Sequence, residues 1–314
     1  MRVADINFFY LFKKYDNIRQ KELERYNLEA ASGKKLLKPS DDIVGFARSQ
    51  RYKKLNKQLE TYLRNSTMVL NQLESAESTM GTIVNSAESV RVKIVQILNT
   101  GVITDDQAKT LKDYFLKIKD YIINQANLSI GDNYVFGGVK SKTQPFLSDG
   151  TYQGETAETT VPVSKGVELN TTFNGAEYMG VNYASGKILI VDVIDAIVNA
   201  IDTGNIGNLN NLTIDVDLDN TGTATPMKLL EAFDKGLSKI MTHRSKIGSQ
   251  IATLNDLKAQ NESLKLKFTN LVSEIEDADF SEVVSNLQKS QTAYQALLAA
   301  VAGTKDLSLL NFIR

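Results

Sequence analysis

Between Leu55 and Ile97 the chain repeats apolar residues at alternating steps of four and three. The positions are Leu55, Leu59, Tyr62, Ser66, Val69, Leu73, Ala76, Met80, Ile83, Ala87, Val90, Ile94 and Ile97, and of these only Ser66 is polar. A stripe that holds a 3.5-residue period over about six heptads is the pattern of a coiled-coil seam. Extended back to Asp42 and on to Asn99, it predicts a helix roughly 85 Å long. That length suits a rod better than a compact enzyme core. Gly81 inside the seam costs about 1 kcal/mol relative to alanine and predicts a mild irregularity.

A second long stripe follows the same rule. Leu230, Phe233, Leu237, Ile240, Ile247, Ile251 and Leu254 keep the spacing, with Arg244 in one slot. A stutter then shifts it to Leu257, Leu264, Phe268, Leu271 and Ile275. Thr225-Pro226 reads as its cap and first residue. Packed antiparallel, the two stripes form each other's core, from Leu55, Leu59, Tyr62, Val69, Leu73, Met80, Ile83, Val90 and Ile94 on one side. Phe233, Leu237, Ile240, Ile247 and Ile251 supply the other.

Each end of the chain carries a shorter stripe. Phe8, Leu11, Tyr15 and Ile18 lead into Leu23, Tyr26 and Ala30, and Ser32-Gly33 stops this helix. Near the other end Phe280, Val283, Leu287, Tyr294, Leu298 and Val301 share a face, followed by Leu307, Leu309, Leu310 and Phe312. Neither stripe is long enough to be stable alone, and each offers the apolar face that the other lacks. Thr104-Asp-Asp-Gln107 is a capping box that opens another helix, with Leu111, Phe115, Ile118 and Ile122 on its apolar face and Gly131 at its end. The short connection makes it an antiparallel neighbour of the first long helix.

The composition changes at Asn133. Tyr134-Val-Phe136 reads as a strand closed by Gly137-Gly138, and glycine, threonine, asparagine and aspartate dominate from Lys140 to Thr225. Leu212, Ile214, Val216 and Leu218 alternate with polar residues as a half-buried strand does, while Thr159–Val163 and Val167–Leu169 are weaker strand signals. Ile190 to Ile201 has the spacing of a short helix. The predicted fold is mainly α with an inserted α+β or β-rich domain. Its frame is a long antiparallel helical rod, a coiled-coil-like bundle with both termini at one end and the insertion at the other. The divisions are residues 1–41 (terminal helix and connector), 42–139 (first half of the rod), 140–225 (insertion), 226–277 (second half) and 278–314 (C-terminal helix).

Composition narrows the function. Among 314 residues, 36 Lys and Arg nearly balance 37 Asp and Glu, so no overall field draws the chain to nucleic acid or to an anionic membrane. Cysteine is absent, which excludes disulfides, thiolate metal sites and a Cys–His pair. No apolar run reaches the length of a bilayer span, and the first residues lack the pattern of a cleavable signal. His243, the single histidine, sits on a charged helix face and reads as solvated or salt-bridged. Asp41-Asp42 and Asp105-Asp106 stand at helix starts, where carboxylates cap: Ser40 or Asp41 for the first long helix. Gly137-Gly138 lacks the spacing and lysine of a phosphate loop and reads as a tight turn. Lys34, Lys35 and Lys38, with Asp41 and Asp42, make a basic connector. No grouping of nucleophile, base and orienting residue appears, and no cofactor is expected.

Ser32-Gly-Lys-Lys-Leu-Leu-Lys-Pro-Ser-Asp-Asp42 resembles the N-terminal signature of flagellins and flagellin-like axial proteins. Phe280-Ser-Glu-Val-Val, Gln291-Thr-Ala-Tyr-Gln-Ala296 and the closing Leu307-Ser-Leu-Leu-Asn-Phe-Ile-Arg314 resemble the family's C-terminal one. The resemblance covers about residues 1–146 and 228–314. Within the family it leans toward hook-associated members at the hook–filament junction, on Met1-Arg-Val and on Asp132-Asn-Tyr-Val-Phe-Gly-Gly-Val-Lys-Ser-Lys-Thr-Gln-Pro-Phe146. Asn255-Asp256 replaces the Asn-Arg pair usual in flagellins. The resemblance implies a non-enzymatic subunit whose terminal helices pair as a coiled coil on assembly, with Phe8 to Tyr26 and Phe280 to Val301 as interface and the connector lysines touching neighbours. It also implies export to the flagellum outside the cell, through the flagellar type III system and without cleavage. The implied partners are further copies in a ring or helical layer, an adjacent hook-associated protein, flagellin, and an export chaperone on the C-terminal helix. Neither nucleic acid nor membrane is among them. The alternatives are a filament flagellin and an intracellular coiled-coil adaptor.

Overall fold

A computed structural model describes residues 2–99 and 104–310. Within helices, the side chains of Phe8, Leu307, Leu309 and Leu310 lie outside the description; Phe312 lies outside the described residues, as do Thr100 and Gly101, which with Asn99 offer the sequence's stop signal for the first long helix. The chain divides into two compact units, residues 1–59 with 263–314 and residues 60–262. Two long helices, α2 (Ile43–Asn99) and α6 (Leu229–Glu276), contribute to both.

The first unit adds α1 (Arg2–Ser32) and α7 (Phe280–Leu310), which pack against each other. They run antiparallel, since Gln20 Nε2 donates to the Tyr294 hydroxyl at 3.2 Å while Ala278 N–H donates to Gly33 O at 2.9 Å. Gly33 takes φ +68°, the left-handed turn that ends α1. The opening of α2 pairs with the end of α6 through stacked Tyr52 and Phe268 rings, 5.7 Å apart, and an Asn56–Thr269 hydrogen bond of 3.2 Å. Ile43 opens α2 after Asp42, whose Oδ1 accepts from Gly45 N–H at 2.9 Å. The cap is therefore Asp42 and not Ser40 or Asp41. Asp41 instead accepts from Leu37 and Lys38 N–H groups at 3.0 and 2.8 Å and folds the connector. Hydrogen bonding from Lys38 N–H holds its carboxyl below the ordinary range.

The second unit holds α3 (Asp105–Ala126), α4 (Gly175–Tyr178), α5 (Leu189–Asp202) and four separate antiparallel hairpins. The hairpins are β1–β2 (Ser129–Ile130, Asn133–Tyr134), β3–β4 (Thr160–Ser164, Val167–Asn170), β5–β6 (Val181–Asn182, Lys187–Ile188) and β7–β8 (Thr213–Val216, Thr225–Lys228). Among the seam positions here, Val69, Leu73, Met80, Ile83, Val90 and Ile94 are buried, as are Phe233, Leu237, Ile240 and Ile247. Tyr62 and Ile251 are half-buried. In the first unit Leu59 is buried and Leu55 half-buried. The α2 seam does not pack on α6 alone. One apolar cluster joins it to Phe115 and Ile122 of α3, to Ile190, Ile194 and Ile197 of α5, and to Phe136, Phe146 and Phe173. Capped by Thr104, whose N–H donates to Gln107 Oε1 at 3.2 Å, α3 packs on α5, and Lys119 Nζ reaches Asp195 at 2.5 Å.

Four sequence expectations need correction in this unit. Gly81 does not disturb α2, which runs unbroken; its bare Cα leaves room for the Arg244 guanidinium, which bonds Glu77 at 2.8 Å. Gly131 does not end α3, which stops at Ala126; it turns the β1–β2 hairpin with φ +61°. The strand expected at Tyr134–Phe136 reaches only Asn133–Tyr134, because Val135 and Phe136 turn into the core. Thr225-Pro226 does not start a helix. It lies in β8, with Pro226 opposite Asp215 and Met227 opposite Ile214, and a two-stranded hairpin tolerates the missing proline N–H. The strand expected at Thr159–Val163 is present as β3, and it lies along the long helices: Asn65 Nδ2 donates to Pro162 O at 2.8 Å and Asn261 Nδ2 to Val163 O at 3.0 Å. The buried hydroxyl of Ser66 reaches the same Val163 carbonyl at 3.5 Å. That contact accounts for the one polar residue in the seam.

Candidate assembly interface

The terminal stripes divide into a covered part and an open part. Val283 is buried, and Leu23, Tyr26, Leu287, Tyr294 and Val301 are half-buried, so the pairing of α1 with α7 already uses these within one chain. Leu11, Tyr15 and Ile18 remain exposed on α1, with Tyr15 at 52 %. Phe280 (66 %) and Leu298 (44 %) remain exposed on α7. Leu11, Tyr15 and Ile18 are spaced four and three apart and so share one helix face. Burial of a leucine or phenylalanine side chain contributes about 1.5–3 kcal/mol. The five partly exposed residues Leu11, Tyr15, Ile18, Phe280 and Leu298 leave part of such a contribution unused, of the kind that marks an interaction site.

The connector is anchored from inside the chain. Glu276, at the end of α6, is 4 % exposed and is held by three side chains. Lys34 Nζ reaches Oε2 at 2.6 Å, while Lys53 Nζ and Ser49 Oγ both contact Oε1. The Glu276 carbonyl accepts from Lys35 N–H at 2.8 Å, and Lys35 Nζ donates to Glu274 O at 2.7 Å. Burial pushes the Glu276 carboxyl up, but the hydrogen bonds from Lys34, Lys53 and Ser49 outweigh it and bring it down to about 2. Lys34 and Lys35 are thus engaged within their own chain, while Lys38 stays exposed. Sequence periodicity gives no hint of this knot, because Glu276 falls outside the apolar register and its partners lie more than two hundred residues away along the chain.

His243 also departs from expectation. It is 6 % exposed, its ring lies against Tyr178 with centroids 4.8 Å apart, and Nδ1 has no hydrogen-bond partner among the described residues. Burial lowers its pKa below the ordinary value, against the pull of Glu177 at 3.7 Å. It is a core aromatic in practice. Gly137 pairs with Asn174 in a β-bridge, and the turn begins at Gly138, which has φ +62° and no room for a Cβ beside the Glu155 carbonyl. Among the described residues, no three His, Cys, Asp or Glu side chains gather as a metal site. No helix there is long and apolar enough to cross a membrane.

Comparison with known proteins fits this geometry. Residues 12–140 match the family described as the bacterial flagellin N-terminal helical region. The flagellar hook-associated protein 3 of Escherichia coli is 25 % identical over 301 residues, covering 93 % of each chain. The flagellin of Bacillus subtilis is also 25 % identical, over 96 % of this chain and 93 % of its own. A solved structure of a flagellar hook-associated protein from Vibrio parahaemolyticus superposes with a TM-score of 0.61 at 17 % identity. It covers 76 % of this chain and all of its own, and it shares the fold.

Proposed function

We propose that this flagellin-like chain is the structural subunit that joins hook to filament in the bacterial flagellum. The observation that carries the reading is the open apolar face of Leu11, Tyr15 and Ile18 on a helix already paired with α7. Such a face suits burial between neighbouring copies, and similarity to a hook-associated protein 3 over nearly the whole length of both chains supports its place at the junction. Its neighbours are further copies, an adjacent hook-associated protein and flagellin. The chain leaves the cell by the flagellar export route without cleavage, and a chaperone covers the C-terminal helix on the way. The work done is mechanical, not enzymatic.

The filament reading is kept as a rival by the equal identity to a flagellin. Deleting the gene separates the two. A junction subunit leaves hooks bare while flagellin accumulates in the medium. Bare hooks with no flagellin in the medium would make this chain the filament protein, and a normal filament would overturn both readings.

A further inference from the structure

Charge is divided unevenly along the chain. The unit of residues 1–59 and 263–314 holds 19 Lys and Arg against 13 Asp and Glu, a net +6. Residues 60–262 hold 17 against 24, a net −7. The near-neutral whole conceals two opposite halves.

Helix α2 shows the division most sharply. From Ile43 to Leu59 it has five basic residues and no acidic one, and from Asn65 to Val90 three acidic residues and no basic one. Some of these charges are already used: Lys53 holds Glu276, and Glu77 holds Arg244. Arg48, Arg51 and Lys54 lie at successive steps of three, all exposed, with no ion pair among the described residues. Glu74 and Glu88, also exposed and without an ion pair among the described residues, stand close to four helical turns apart and so share a face.

A row of exposed cations is usually only solvated, and alone it would indicate no partner. Here the same helix carries exposed charges of opposite sign that are likewise unpaired among the described residues, and the chain is read as one that assembles with itself. We propose that the row Arg48, Arg51 and Lys54 of one copy meets Glu74 and Glu88 of the next. The contact is heterologous: each copy uses a different row toward each neighbour, as rings and helical layers require. It rests on the assembly reading above. Exposed charges add little affinity but set register and reject misaligned neighbours. In this arrangement apolar burial on the terminal helices supplies adhesion, and the α2 rows supply alignment.

Zero-length cross-linking tests this on the concentrated full-length chain, half of it labelled with ¹⁵N so that bonds between copies appear at mixed isotope mass. A carbodiimide should join Lys54 to Glu74 or Glu88 in mixed-isotope pairs. Raising salt from about 20 to about 500 mM should reduce their yield at least tenfold, as screening shortens the reach of surface charge. A variant carrying Arg48→Glu, Arg51→Glu and Lys54→Glu should lose mixed-isotope dimer at least tenfold, as should one carrying Glu74→Lys and Glu88→Lys. Circular dichroism of both should match the natural chain. Mixed together, the two variants should regain the dimer, because each then presents what the other needs. Absence of the Lys54 cross-link at low salt, or a mixture no better than its components, overturns the contact. No flagellum is present in the experiment, so its outcome is independent of where the protein resides.

Discussion

At the scale of single residues, Glu276 is the most consequential side chain in the terminal unit. Its carboxyl is held at about 2 in the folded chain, against an unfolded value near 4.3. Its stabilising effect is therefore complete above the unfolded value and is lost as pH falls through about 4 toward 2. The shift corresponds to at most about 3 kcal/mol, less whatever solvent screens at the partly exposed Lys34 and Lys53. Thermal unfolding followed from pH 6 to pH 2.5 should show this acid loss, and Glu276→Gln should flatten the dependence while lowering stability at pH 6. An unchanged slope in that variant would mean the knot is not what acid disrupts. A second residue-scale prediction concerns Gly138. An added methyl group would meet the Glu155 carbonyl at 2.1 Å, in a backbone conformation with φ +62°. Gly138→Ala should cost about 2 kcal/mol or more, read as a lower urea midpoint.

At the scale of elements, α1 and α7 separate folding from assembly. Ile18 is exposed, so Ile18→Asp should leave helicity and melting of the free chain unchanged while blocking its recovery with sheared flagella. Leu287 is half-buried within the α1–α7 pairing, so Leu287→Asp should both loosen the terminal helices and block incorporation. Equal recovery of Ile18→Asp and the natural chain would remove the open face from the interface. The helices were legible in the sequence because their cores repeat every three to four residues, so that Val69, Leu73, Met80 and Ile83 are recognisable without knowing their partners. What was not legible depends on partners distant in the chain. Ser66 is tolerated in the seam because of the Val163 carbonyl. His243 is buried because α4 brings Tyr178 against it. Thr225-Pro226 has the local chemistry of a helix start, but pairing with Ile214 and Asp215 makes it a strand. For the interface, the terminal stripes were readable as apolar faces, but which residues stay open was not, because α1 and α7 cover part of each other.

At the scale of the whole molecule, the chain combines helices that bury their seams internally with terminal helices that leave apolar residues in water. A protein working alone gains nothing from Leu11, Tyr15, Ile18 and Phe280 in solvent, whereas a subunit of a larger body buries them on assembly. The opposite net charges of the two units give such a body a means of alignment that its near-neutral total hides. The proposed function stands on where the subunit sits, between hook and filament. Immunogold electron microscopy of detached flagella, with antibody raised against residues 150–220, tests it most directly. A subunit at the junction gives a narrow band of label at the distal end of the hook. Label along the whole filament, or on no flagellar structure, would contradict it.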